Sequence, residues 1–202
     1  MLDGMMRKVI DAPLNRAGRW LAGRGVTADA VTLAGLGFGL IAAALLAFGA
    51  AGALVALPLM VGRIADGLDG AVARARGNTD FGGFLDITCD FAFYGAIPLA
   101  FALRDPAANG LAAAFLLFSF YVNGASFLAY AILAAKRGLE STSRGEKSLY
   151  FTAGLMEGTE TILIFLLMVL WPQWFVPMAW VFGALCCLTA TARIALARRV
   201  FG

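Results

Sequence analysis

Histidine is absent from the 202 residues, and cysteine is limited to Cys89, Cys186 and Cys187, none of them spaced as metal-ligand pairs. Without an imidazole, a general base has to be a carboxylate, a lysine or something weaker. The cysteines all fall in apolar segments, where they read as small core residues that leave the redox compartment open. Charge is scarce too: charged residues make 14% of the chain and hydrophobic ones 61%, a balance that excludes an ordinary soluble domain. Residues 1–25 lack a continuous apolar core, being broken by Pro13, Gly18, Gly23 and Gly25. No cleavable signal is expected there, so the N-terminus should be kept. No aromatic-basic surface module is visible, which argues against a nucleic-acid partner. The net charge of +3 comes from Lys and Arg at the ends of apolar runs, positions suited to anionic lipid headgroups.

What the chain does have is a series of long apolar runs. Met5, Met6, Val9, Ile10, Leu14, Trp20 and Leu21 recur at helical spacing opposite Arg7, Lys8, Arg16, Arg19 and Arg24, the pattern of an amphipathic helix lying in a membrane interface. Spans are then expected at Ala30–Ala50, Gly52–Arg76, Phe81–Leu103, Ala108–Ala135, Phe151–Trp171 and Phe175–Ala197, with Lys136–Tyr150 as the longest polar connection. The expected fold is an all-α integral membrane protein, one domain over 1–202, with an interfacial helix at 1–26 and six transmembrane helices within 28–200. Basic residues gather in alternate loops, at Arg74 and Arg76, from Lys136 to Lys147, and at Arg193, Arg198 and Arg199, with Arg104 the exception on the other side. Both termini should therefore face the cytoplasm. Trp171, Trp174 and Trp180 fit an interfacial belt at the opposite leaflet.

Against this apolar background, Asp66, Asp69, Asp86 and Asp90 fall within 25 residues. An acidic side chain deep in a bilayer costs roughly 2.5 to 3.5 kcal/mol on insertion scales, so four together need a compensating partner. Asp66 and Asp69 are three apart on one expected helix, Asp86 and Asp90 four apart on the next, so each pair shares a face and a short loop brings the pairs together. About four negative charges would be balanced by two oxygen-seeking divalent ions such as Mg²⁺ or Mn²⁺, the arrangement that clamps phosphoryl oxygens. Gly70, Ala73 and Gly82 keep the adjoining faces small enough for a ligand to lie on the backbone, and Arg74 offers a cation to phosphate. Arg63, one turn before Asp66, can balance the aspartates or be directed elsewhere by packing.

The run Asp66-x2-Asp69-Gly70-x2-Ala73-Arg74, seven residues, then Gly82-x3-Asp86-x3-Asp90 closely resembles the signature of the CDP-alcohol phosphotransferases, also called CDP-alcohol phosphatidyltransferases. Every fixed position is filled, although the spacer is about one residue shorter than is usual there. The Glu157-Gly-Thr-Glu160-Thr stretch adds a likeness to a bacterial inner-membrane branch of that family. The resemblance implies metal on Asp66, Asp69 and Asp86, with Asp90 completing the site and acting as general base. It also implies nucleotide and diphosphate contacts at Gly70, Ala73, Arg74 and Gly82, and a homodimer.

The expected reaction moves a phosphatidyl-type group from CDP-diacylglycerol to a small alcohol and releases CMP. Two alternatives stand beside it: transfer from a CDP-amino-alcohol to diacylglycerol, and a divalent-cation transporter without catalysis. For the acceptor, Glu157 and Glu160 could bind a polyol or an amino-alcohol such as choline or ethanolamine, or pair internally with Arg193 or Arg63. Lys136 and Arg193 are further acceptor candidates, Arg193 the deeper of the two, while the positive-inside bias accounts for Lys136 without any substrate. Asn123 and Ser126 read as helix-to-helix contacts.

Overall fold

The computed structural model describes residues 2–138 and 158–202. Among them are seven α-helices: α1 Leu2–Gly23, α2 Ala28–Ala47, α3 Gly52–Arg76, α4 Asp80–Arg104, α5 Pro106–Lys136, α6 Gly158–Leu170 and α7 Phe175–Phe201, the last preceded by a 3-10 turn at Pro172–Trp174. The described residues include no strand.

Helix starts follow local chemistry. Thr27 Oγ1 accepts from the Ala30 amide at 3.2 Å to open α2, and Thr79 Oγ1 accepts from the Gly82 amide at 3.0 Å to open α4. Asp105 caps α5 by accepting from the Ala108 amide at 3.0 Å, with Pro106 at the first helical position. Helix α3 stops at Gly77, whose φ of +104° reverses the chain so that α4 begins three residues later.

Four segments are long and apolar enough to cross a bilayer: α2, α4, α5 and Pro172–Phe201. Helix α3, the expected second span, is not among them: Arg63, Asp66, Asp69, Arg74 and Arg76 occupy it from its middle to its end. The expected fifth span is described only from Gly158, as 13 apolar residues. At ~1.5 Å per residue α3 exceeds a ~30 Å hydrocarbon core, and its charged half lies at the end that would project beyond it. Helix α1 forms over the stretch expected to be interfacial and packs on the charged half of α3, where a Cβ on Gly18 would stand 2.6 Å from Ala71 Cβ.

Close helix approach depends on small residues. At the α2–α3 crossing, a Cβ on Gly62 would stand 2.8 Å from Gly35 O, and one on Gly35 would stand 3.1 Å from Gly62 O. The apolar core is formed by the second halves of α2 and α4 (Leu46, Phe93, Ile97, Phe101), the first halves of α3, α5 and α7 (Leu59, Leu116, Phe175, Phe182) and Phe165 and Met168 of α6. All of it lies toward one end of the bundle. Arg104 is tied at that end, donating to Ala50 O at 3.4 Å. The other end carries the aspartates.

Candidate active site

The second half of α3 and the first half of α4 run antiparallel across the Gly77–Thr79 turn, which brings their carboxylates together. Asp66, Asp69 and Asp86 each offer an oxygen, and these oxygens lie within 4.8 Å of one another. Asp69 is buried and its Oδ2 accepts a 2.6 Å hydrogen bond from Thr32 Oγ1 of α2. The distance is that of a charge-assisted bond. Asp90 is held differently. Its Oδ1 accepts from Arg63 Nη1 at 2.9 Å, and the same nitrogen stands 3.5 Å from Asp66 Oδ1.

Beside the carboxylates opens a cavity of about 440 Å³ lined by Asp69, Asp86, Gly70, Ala73 and Gly82, with Thr27, Asp29 and Thr32 at the start of α2, Arg76 at the end of α3 and Gly77 to Thr79 from the turn. Gly70 presents bare backbone to it, since a Cβ there would meet only Arg74 Nη1, at 3.4 Å. Gly82 has a second reason to be glycine: a Cβ would stand 2.9 Å from the capping Thr79 Oγ1. Arg74 runs along α1, giving Nε and Nη2 to Asn15 Oδ1 at 3.3 and 2.8 Å, while Arg76 reaches Val26 O at 3.2 Å.

The described acceptor candidates come from α5, α6 and α7. Arg193 of α7 is buried and gives Nη1 to Asn123 O, Asn123 Oδ1 and Ser126 Oγ of α5 at 3.0, 2.9 and 2.7 Å, so Asn123 and Ser126 are helix-to-helix contacts made through it. Lys136 occupies the exposed last turn of α5. Glu160 is half-buried in the first turn of α6, and Glu157 lies outside the described residues. Thr32 and Asp29 are site residues that motif reading missed. Thr32 is 37 positions from Asp69, and its only sequence signal was a hydroxyl near the start of an apolar run.

The donor set fits a hard divalent cation. Octahedral oxygen ligands at ~2.1 Å from Mg²⁺ stand ~3–4 Å apart. Oxygens already within 4.8 Å of one another reach that spacing by side-chain adjustment alone. They come from two helices held by a fixed turn and include one buried, hydrogen-bonded carboxylate.

A family model described as CDP-alcohol phosphatidyltransferase matches residues 25–196. The chain is 47% identical over 195 residues to inner membrane protein YnjF of Escherichia coli, covering 96% of this chain and 94% of that protein. It is 40% identical over 87 residues to archaetidylinositol phosphate synthase of Pyrococcus horikoshii, which is 42% of this chain and 45% of that enzyme. Its fold is similar to that of Mycobacterium tuberculosis phosphatidylinositol phosphate synthase in complex with manganese and citrate, with a TM-score of 0.69 and 25% identity over 90% of this chain and 87% of that one. The same enzyme with CDP-DAG bound gives a TM-score of 0.68 at 24% identity over 90% of this chain and 92% of that one. An intact aspartate signature, four spanning-length apolar helices and a match over most of the length agree, and the chain belongs to the CDP-alcohol phosphatidyltransferase family, as a membrane-bound transferase of phospholipid biosynthesis.

Proposed function

We propose that the protein transfers a phosphatidyl-type group from CDP-diacylglycerol to a small alcohol and releases CMP, at the cytoplasmic face of a bacterial inner membrane. The observation that carries this reading is the convergence of three carboxylates, two of which, Asp69 and Asp86, line a cavity of about 440 Å³ together with Gly70, Ala73 and Gly82. That cavity is large enough for a nucleotide, and small residues allow its diphosphate to approach the backbone. The CDP-DAG and the manganese named with the similar mycobacterial structures support a CDP-linked lipid donor and a divalent ion.

Asp66, Asp69 and Asp86 would hold Mg²⁺ or Mn²⁺, which when bound supplies positive charge against the diphosphate oxygens. Arg74, held by Asn15 of α1 with Nη1 beside Gly70, would add a cation next to that wall. Asp90 accepts the proton of the acceptor hydroxyl. The alcohol oxygen then bonds to the lipid-proximal phosphorus, the bond from that phosphorus to the CMP oxygen breaks, and CMP leaves with the electron pair. Ion pairing with Arg63 fixes the orientation of the Asp90 carboxylate. In this reading α1 lies in the interface, α3 and the helix ending at Leu170 complete six spans, and the chain forms a homodimer. The acceptors in the names of the two synthases make a phosphorylated polyol the first candidate. Arg193, Lys136, Glu157 and Glu160 are the residues to vary for it.

The test is CMP release by purified protein in detergent with CDP-diacylglycerol, Mg²⁺ and a panel of glycerol 3-phosphate, inositol phosphate, inositol, serine, ethanolamine and choline. Acceptor-dependent CMP is expected. CMP formed only from CDP-choline and diacylglycerol would reverse the carriers. Metal flux into vesicles with no CMP from any donor would replace catalysis by transport.

A further inference from the structure

Asn15 is a poor residue for the middle of a helix, where its amide competes with the backbone and a leucine or alanine would be favoured. Its place on α1 accounts for it. Leu14 and Gly18 seat α1 on α3: a Cβ on Gly67 would stand 3.2 Å from Leu14 Cδ1, and one on Gly18 would stand 2.6 Å from Ala71 Cβ. Asn15, between them, faces Arg74, whose Nε and Nη2 both give to its Oδ1, at 3.3 and 2.8 Å. Two donors converging on one atom identify it as the amide oxygen. The family match begins at residue 25, so all of α1 and this contact lie outside it.

A guanidinium is planar, so an oxygen that grips one edge fixes where the rest points. With the Nε–Nη2 edge on Asn15, Nη1 stands 3.4 Å from where a Cβ on Gly70 would be, and it has no hydrogen-bond partner among the described residues. Gly70 lines the cavity of about 440 Å³. The acceptor on α1 is a neutral amide, which orients the cation without cancelling its charge; a carboxylate there would do both. Arg74 is exposed, and an exposed arginine loses rotamer freedom when it closes on a ligand, a cost that orientation in advance removes. We propose that Asn15 is a positioning residue for the CDP-linked donor, holding Arg74 with its free edge toward the diphosphate, so that α1 forms part of the donor site. This deepens the reading above and rests on its placing the diphosphate beside Gly70 and Arg74.

The experiment is a calorimetric titration of CDP, with Mg²⁺ present, into the full chain in detergent. Wild type should bind CDP. Asn15→Leu favours the helix but releases Arg74; its Kd for CDP should rise roughly two- to tenfold, the scale of ordering one long side chain on binding. Asn15→Ala should do the same, and it tests the point even where the leucine disturbs the seat of α1 on α3. Arg74→Met removes the cation, and adding Asn15→Leu to it should raise the Kd no further, because Asn15 acts through Arg74. Mn²⁺ binding without nucleotide, and the melting curve, should match wild type in both Asn15 variants. CDP binding by both Asn15 variants as tight as that of wild type, an equal loss from Asn15→Leu with and without Arg74, or a parallel fall in Mn²⁺ affinity would each overturn the proposal while leaving the donor reading standing. Absence of Mg²⁺-dependent CDP binding by wild type would instead remove that reading, and this inference with it.

Discussion

Thr32→Val is the sharpest probe of how the carboxylate end is assembled. The substitution preserves shape in a buried position and deletes one hydroxyl. That hydroxyl stands 2.6 Å from Asp69 Oδ2 and 3.1 Å from Ala28 O, and its single proton can serve only one of them. The shorter contact, to a charged acceptor, takes it. A hydrogen bond to a charged group contributes roughly 1.5–3 kcal/mol, and loss of an outer partner of a metal ligand typically lowers metal affinity about 10–100-fold. With Asp69 supplying one of three oxygens, the expectation is about a tenfold or larger rise in the Mn²⁺ dissociation constant. Thr32→Ser, which keeps the donor, should stay near wild type. The assay is a Mn²⁺ titration of detergent-solubilised protein, paired with a melting curve that separates local from global damage. A Val variant that melts and binds Mn²⁺ as wild type does would refute the idea that α2 orients Asp69.

Asp90→Asn should abolish CMP release while Mg²⁺-dependent binding of the CDP donor survives, and ordinary turnover by that variant would remove Asp90 as base. Asp69→Ala should eliminate metal-dependent nucleotide binding, measured calorimetrically; unchanged binding would mean that the ion sits elsewhere. Gly62→Val places a branched side chain where even a Cβ would stand 2.8 Å from Gly35 O. Overpacking of this kind costs about 1–3 kcal/mol, so a lowered melting temperature in detergent is expected, with Mn²⁺ affinity falling as Thr32 is wedged away from Asp69.

Much of the site could be read from spacing because its parts are close in sequence. Two carboxylate pairs at helical offsets and a turn too short to do anything but reverse the chain leave little freedom in where Asp66, Asp69 and Asp86 meet. Partners from other elements were not legible. Arg63 had two possible directions, and the choice depends on Phe93 filling the space left by Gly39. Thr32 reaches Asp69 only because Gly35 and Gly62 let α2 and α3 touch. Arg193 looked like a deep cation facing a substrate, yet its contacts with Asn123 and Ser126 depend on the pairing of α5 with α7. Periodicity places a residue on a face, but packing decides what that face meets.

The same constraint explains why core and chemistry occupy opposite ends of the bundle. Carboxylates at mid-bilayer depth are costly without a counter-ion, so a helix that carries two of them keeps them in its second half, near water and near the turn. The first half of α3 is then free to be apolar, and Val55 and Leu59 join Leu46, Phe93 and Phe101 in the core. Phe93 belongs to both regions: one turn past Asp90 on α4, it closes the core from one side and carries Arg63 on the other. A change in that ring should therefore act in two ways at once. Phe93→Leu keeps much of the apolar volume but loses the flat face under the guanidinium. It should cost less stability than Phe93→Ala, for which about 3–5 kcal/mol is expected, and still loosen the Arg63–Asp90 pair. If Arg63, and through it Asp90, is held in place by that ring, Phe93→Leu should lower kcat for CMP release while retaining a cooperative melt. Unaltered turnover by a folded Phe93→Leu protein would show that the ion pair holds itself.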